Sequence, residues 1–176
     1  MTDVQEKTLK ALEKGIKMEI DGKEFYLKAS EQTGNELGRK LLQSLAAEED
    51  THRKVFEEIY ENMRKKQGWP RKEFKADGGM ALRTVFADAI DNLGSDVKTM
   101  PEEIDAVKKA MEMENETYDF YKKQAQSASY DAEKNFYEAL AVQEEEHHRL
   151  LLDYYEFLKD PAAYFVQKEH PSLDGG

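Results

Sequence analysis

The chain has no cysteine, which excludes disulfides, thiolate-bound zinc, iron–sulfur clusters and a thiol nucleophile. Proline is sparse, with only 4 in 176 residues, so long stretches are free to stay helical. No apolar run approaches the 18 residues of a membrane span, and the first residues lack the apolar core of a signal peptide. A soluble, cytoplasmic protein is the expectation. Basic residues are the minority, 26 Lys and Arg against 37 Asp and Glu, giving a formal charge of -11. That balance speaks against nucleic acid or an anionic membrane as a partner, because both require a basic footprint.

What remains is strong helical periodicity. A first helix is predicted over 3–31, opened by a Thr2-x-x-Gln5 capping box and closed by Thr33-Gly34-Asn35. Its inner face reads Leu12, Ile16, Glu19, Tyr26 and Ala29. A second helix over 35–67 carries Leu41, Leu45, Glu49, His52, Phe56, Ile59 and Met63, and Gly68-Trp69-Pro70 stops it. A third, over 100–128, follows Thr99-x-Pro101-Glu102 and presents Val107, Ala110, Glu114, Thr117 and Tyr121. The fourth, over 130–159, is read with Ala141, Glu145, His148, Leu152 and Tyr155 inward, and Asp160-Pro161 ends it. These form one domain over 1–160, an all-α four-helix bundle. The long connection over 68–98 contains a short amphipathic helix around Met80–Leu93, between Gly78-Gly79 and Gly94. A tail over 161–176 docks Tyr164, Phe165 and Val166 on the bundle or on a second subunit, and frays at Asp174-Gly175-Gly176.

The two halves repeat. Residues 11–19 lie against 106–114, and Phe25-Tyr26 against Phe120-Tyr121, at an offset of 95. Glu49 and His52 are paired with Glu145 and His148 at an offset of 96, because a basic Arg then follows each histidine. Glu144-x-x-His147 is the competing frame. A duplicated helical hairpin follows from this pattern.

Residues three apart share a helix face, so each Glu-x-x-His pair converges toward the interior. With Glu19 and Glu114, every long helix sends a carboxylate inward. Four uncompensated buried carboxylates would cost several kcal/mol each or take up protons. Two divalent cations neutralise four negative charges and use the imidazoles as neutral donors. Hard oxygen ligands with two imidazoles suit iron(II) or manganese(II) best; zinc could occupy the site but prefers fewer, softer ligands.

At these residues the sequence resembles the ferritin-like superfamily, and within it the rubrerythrin-like branch, over about residues 5–158. The resemblance implies a ferritin-like bundle with a two-iron centre. Glu19 and Glu114 would be terminal carboxylates, Glu49 and Glu145 bridging ones, and His52 and His148 terminal nitrogens. Tyr26 and Tyr121 would hydrogen-bond a carboxylate of the opposite hairpin. Two departures stand out. The rubredoxin module of classical rubrerythrins, with its Cys-x-x-Cys pairs, has no counterpart here, so an electron donor such as a rubredoxin is a separate molecule. Family peroxidases also carry an extra glutamate three residues after the third-helix ligand, where this chain has Thr117. Gly22 faces that position in the first repeat. Close helix packing is the first explanation for a mid-helix glycine. Room beside the metals for dioxygen or peroxide, left by Gly22 and Thr117 together, is the sharper one.

The expected function is therefore reduction of hydrogen peroxide or dioxygen, in an oxidative-stress setting. The alternatives are iron binding or ferroxidase chemistry without turnover, and a metal-free structural bundle. A homodimer is the expected assembly, and whether its subunits exchange hairpins is left open by the sequence.

Overall fold

The computed structural model describes residues 2–70, 74, 75, 77, 79–93 and 97–169. Gly78, Gly94 and the end from His170 onward, expected as helix-flanking breaks and a frayed terminus, lie outside the described residues. The elements are α1 (Asp3–Gln32), α2 (Glu36–Arg64), α3 (Met80–Asn92), α4 (Pro101–Ser127), α5 (Asp131–Lys159) and α6 (Pro161–Glu169), with no strand among the described residues. The architecture is an all-α, ferritin-like bundle of four long helices.

Local chemistry sets the helix starts. Thr2 and Gln5 form the reciprocal capping box at α1, and Asn35 Oδ1 accepts from Gly38 N at 2.7 Å to open α2. At α4 the cap is Met100 rather than Thr99, with Pro101 in the first helical position, where its missing N–H costs nothing. The Glu103 carboxylate accepts from the backbone N–H of Gly34. The α1–α2 turn is thereby fastened to the start of α4. Pro161 both ends α5 and begins α6, and Asp160 Oδ1 accepts from Ala163 N at 3.0 Å. The tail thus continues as a helix, whose Tyr164 and Phe165 rings pack edge-on against Phe157 at 5.7 and 6.1 Å.

Two apolar clusters divide the core, and their membership fixes the topology. One contains Ala29, Leu41, Leu45, Val107, Ala110, Leu151 and Phe157. The other contains Leu12, Phe56, Ile59, Ala125, Phe136 and Leu140. Chain order shows that α1 and α5 run from the second cluster to the first, whereas α2 and α4 run from the first to the second. Neighbours within each hairpin are antiparallel, and α2 and α4 point the same way. Helices of 27 to 30 residues span about 40–45 Å, and the link from α2 to α4 must return over that length. Its helix α3 buries Leu82, Phe86, Ala89 and Ile90 in the first cluster, and Arg83 of α3 pairs with Glu146 of α5 at 3.0 Å.

The inward face of α5 corrects the sequence reading by one residue. The buried stripe runs Phe136, Leu140, Glu144, His147, Leu151, Tyr154 and Leu158, whereas Glu145 is exposed, His148 half-buried and Leu152 exposed. Packing decides this. Burying a large apolar side chain is worth about 1.5–3 kcal/mol, and the alternative frame would turn Phe136, Leu151 and Tyr154 outward. Arg149 stays at the surface, bonded to Glu145 and Glu146 at 2.9 Å each.

Candidate metal centre

Between the apolar clusters the four long helices converge on six polar side chains: Glu19 of α1, Glu49 and His52 of α2, Glu114 of α4, and Glu144 and His147 of α5. All six are at most 4% exposed. They form two groups, Glu19, Glu49, His52 and Glu144, and Glu49, Glu114, Glu144 and His147, whose donor atoms in each group lie within 4.8 Å of one another. Glu49 and Glu144 belong to both. Two cations held there would share Glu49 and Glu144, and each would be completed by one further carboxylate and one imidazole.

Glu145 and His148, assigned as ligands from the sequence, are not part of it; Glu144 and His147 stand in the cluster in their place. The signal was present in the chain. With Glu144 and His147, the pairs 19/114, 22/117, 26/121, 49/144 and 52/147 all share a spacing of 95. No inserted residue is needed.

The free donor atoms define what the site can do. Glu19 Oε2, Glu49 Oε1, Glu114 Oε2, both Glu144 oxygens, His52 Nδ1 and His147 Nδ1 are buried without a hydrogen-bond partner. His52 Nδ1 lies 3.3 Å from Glu19 Oε2 and 3.5 Å from Glu144 Oε1. His147 Nδ1 lies 3.3 Å from Glu49 Oε1 and 3.6 Å from Glu144 Oε2. The opposite oxygens of the outer carboxylates are taken: Tyr26 donates to Glu114 Oε1 and Tyr121 to Glu19 Oε1, each across the hairpins. Each outer carboxylate is therefore held by one oxygen and offers the other inward. A native fold leaves few buried polar atoms unpaired, and here they cluster with the donor types that bind hard divalent cations. The residues fit a pair of such ions.

Without cations the cluster must hold protons. Burial pushes the Glu19 and Glu49 carboxyls up, and raises Glu114 to about 8. Burial alone would lower His52 and His147, but the Glu19 charge beside His52 and the Glu114 charge beside His147 reverse that, leaving both well above the ordinary value. Glu144 is also desolvated, yet its contacts with Glu114, His147 and His52 hold it below the usual carboxylate range.

Gly22 sits directly behind Glu49: a Cβ there would lie 2.7 Å from Glu49 Oε2. A crevice of about 10 Å³ opens beside it, lined by Met18, Gly22, Tyr26, Glu49, Met113, Glu114 and Thr117. Thr117 Oγ1 donates to the Met113 carbonyl at 2.9 Å, so this hydroxyl is spent on its own helix. Glu48, unremarked in the sequence, also reaches the site: its Oε2 lies 2.9 Å from His147 Nε2.

No helix among the described residues is long and apolar enough to cross a membrane. No curated protein and no solved structure matches the chain. A family model described as Rubrerythrin does, over residues 10–155, a span that holds all four long helices' contributions to the buried cluster. The chain belongs to the rubrerythrin family.

Proposed function

We propose that the protein is a non-haem di-iron redox protein that reduces hydrogen peroxide or dioxygen at the bridged carboxylate centre. The observation that carries this is the set of orphaned donor atoms, three carboxylates and one imidazole around each position with Glu49 and Glu144 shared. Four carboxylates match the charge of two divalent cations, and oxygen-rich sets with one nitrogen favour iron(II) or manganese(II) over zinc. Bound iron supplies the electrons for cleaving an O–O bond by cycling between ferrous and ferric states.

The chain's own residues do the rest. Tyr26 and Tyr121 hold Glu114 and Glu19 in fixed orientations. The Gly22–Thr117 crevice, of about 10 Å³, is at the lower limit for a single water and marks the side from which a small oxidant would approach. The surrounding apolar clusters exclude bulk water. Reduction of peroxide to two waters consumes two electrons and two protons. The 176 residues hold no cysteine for a redox centre of their own, and on this reading those electrons come from a donor of the rubredoxin kind.

Thr117 favours a second reading. A backbone-bonded threonine offers no carboxylate toward which iron could shift, so ferroxidase chemistry without peroxidase turnover is the competing function. Iron storage would additionally require a closed shell of many subunits, which light scattering distinguishes from a dimer.

The test is anaerobic reduction of the iron-loaded protein followed by mixing with stoichiometric hydrogen peroxide. Re-oxidation much faster than that of free ferrous ion, repeated over many cycles with an added donor, supports peroxide reduction. One rapid turnover with no cycling supports the ferroxidase reading, and no acceleration rejects both.

A further inference from the structure

We infer that the two cation positions are not equivalent, and that Glu48 sets them apart by fixing His147 from behind. The inference rests on the two-cation reading of the centre. Every inward ligand of the first hairpin has an identical residue 95 positions later: Glu19 and Glu114, Glu49 and Glu144, His52 and His147. By ligand type alone the two positions would be twins. The repeat breaks one residue before the bridging carboxylates, where Glu48 in α2 corresponds to Gln143 in α5.

That difference is transmitted to the imidazoles. Glu48 Oε2 lies 2.9 Å from His147 Nε2 and also accepts from Gln143 Nε2 at 3.0 Å. A carboxylate only accepts, so His147 keeps a proton on Nε2 toward Glu48, and Nδ1, facing Glu49, Glu114 and Glu144, is the nitrogen left to give up its proton to a cation. An anionic acceptor behind a ligating imidazole fixes its tautomer and makes it a stronger donor.

His52 has no such support from the corresponding residue. Gln143 is neutral, its amide nitrogen is committed to Glu48, and its Oε1 is buried without a partner. The His52 ring instead meets the edge of Phe74 at 5.7 Å between centroids. Among the described residues one carboxylate therefore serves one of two otherwise matched histidines, and the position built on Glu114 and His147 is the tighter one. Glu48 is a positioning residue, acting through His147.

Cobalt(II) titration of the full-length, metal-free protein tests this, read by visible absorption and by competition with a chelator. The wild type should bind in two resolved steps, the tighter lost in His147→Ala and the weaker in His52→Ala. Glu48→Gln should weaken the tight step by about 10–100-fold, as loss of such an outer partner does elsewhere, and Glu48→Asp should restore part of it. The double variant Glu48→Gln/Gln143→Glu keeps an amide–carboxylate pair but moves the charge toward His52, and should strengthen that position. Thermal unfolding of the metal-free variants confirms that each is folded. Two equal steps in the wild type, or two steps that Glu48→Gln leaves unmoved or shifts equally, overturn the inference while the metal centre stands. Absence of any cobalt uptake by the wild type removes the metal centre and the inference together.

Discussion

Gly22→Ala should move fold stability and metal affinity in opposite directions. Position 22 lies within α1, where alanine is favoured over glycine by about 0.5–1 kcal/mol. In a protein of this size a change of 1 kcal/mol moves the melting temperature by about 2–4 °C, so the metal-free variant should melt about 1–4 °C higher. The new Cβ would nevertheless lie 2.7 Å from Glu49 Oε2, and ordinary contact begins near 3.4 Å. The obstacle is the end of a flexible side chain, so the fold absorbs the shift and the Glu49 carboxylate takes it. Glu49 belongs to both donor groups, and ligand atoms must be held to within about 0.5 Å. A loss of about tenfold in affinity, 1.4 kcal/mol, is expected at both positions together. Circular-dichroism melts in chelator and chelator-competition titrations measure the two effects separately. A metal-free variant with raised melting temperature and unaltered affinity would refute the placement of Glu49 against Gly22.

Other perturbations probe the same geometry. Glu19, Glu49, Glu114, His52 and His147 all have raised values in the metal-free cluster, so their stabilisation is present at low pH and lost as pH rises through those values. Metal-free protein should therefore melt at lower temperature as pH rises from about 5 to beyond 8, whereas Glu48 and Glu144, held below the usual value, act only at lower pH. A melting temperature that is flat or rising over that window contradicts the cluster's burial. Tyr26→Phe leaves Glu114 Oε1 without its donor and Tyr121→Phe does the same to Glu19; each should cost about 10–100-fold in affinity at one position, and equal binding to wild type would dismiss their role. Gly38→Ala should destabilise by about 1–3 kcal/mol in urea unfolding, because a Cβ there meets the Tyr154 hydroxyl and lies 2.6 Å from Thr33 Cγ2. A neutral result would show that these neighbours yield easily.

The long helices, the capping box at Thr2, and the inward faces of α1, α2 and α4 were legible because apolar periodicity and cap chemistry are local. The face of α5 was harder. Glu144-Glu145-Glu146-His147-His148 offers two Glu-x-x-His frames, and the following arginine favours the wrong one. The longer stripe from Phe136 to Leu158 resolves it, since one residue of rotation would expose several large side chains. Pro161 was read as a stop, yet proline is equally at home in a first helical turn, and α6 uses it so. Glu48 was illegible for a different reason. Its partner, His147, stands in the other hairpin, and no local pattern reports a hydrogen bond across 99 residues.

Each donor group takes three residues from one hairpin and one from the other: Glu144 joins Glu19, Glu49 and His52, and Glu49 joins Glu114, Glu144 and His147. Neither hairpin can complete a coordination sphere alone. Bound cations would act as a clasp between two helical pairs that the apolar clusters already join, and chelation would loosen the seam between them before it unravels either one. A centre that held two cations would thus also decide how firmly the two halves of the chain are joined.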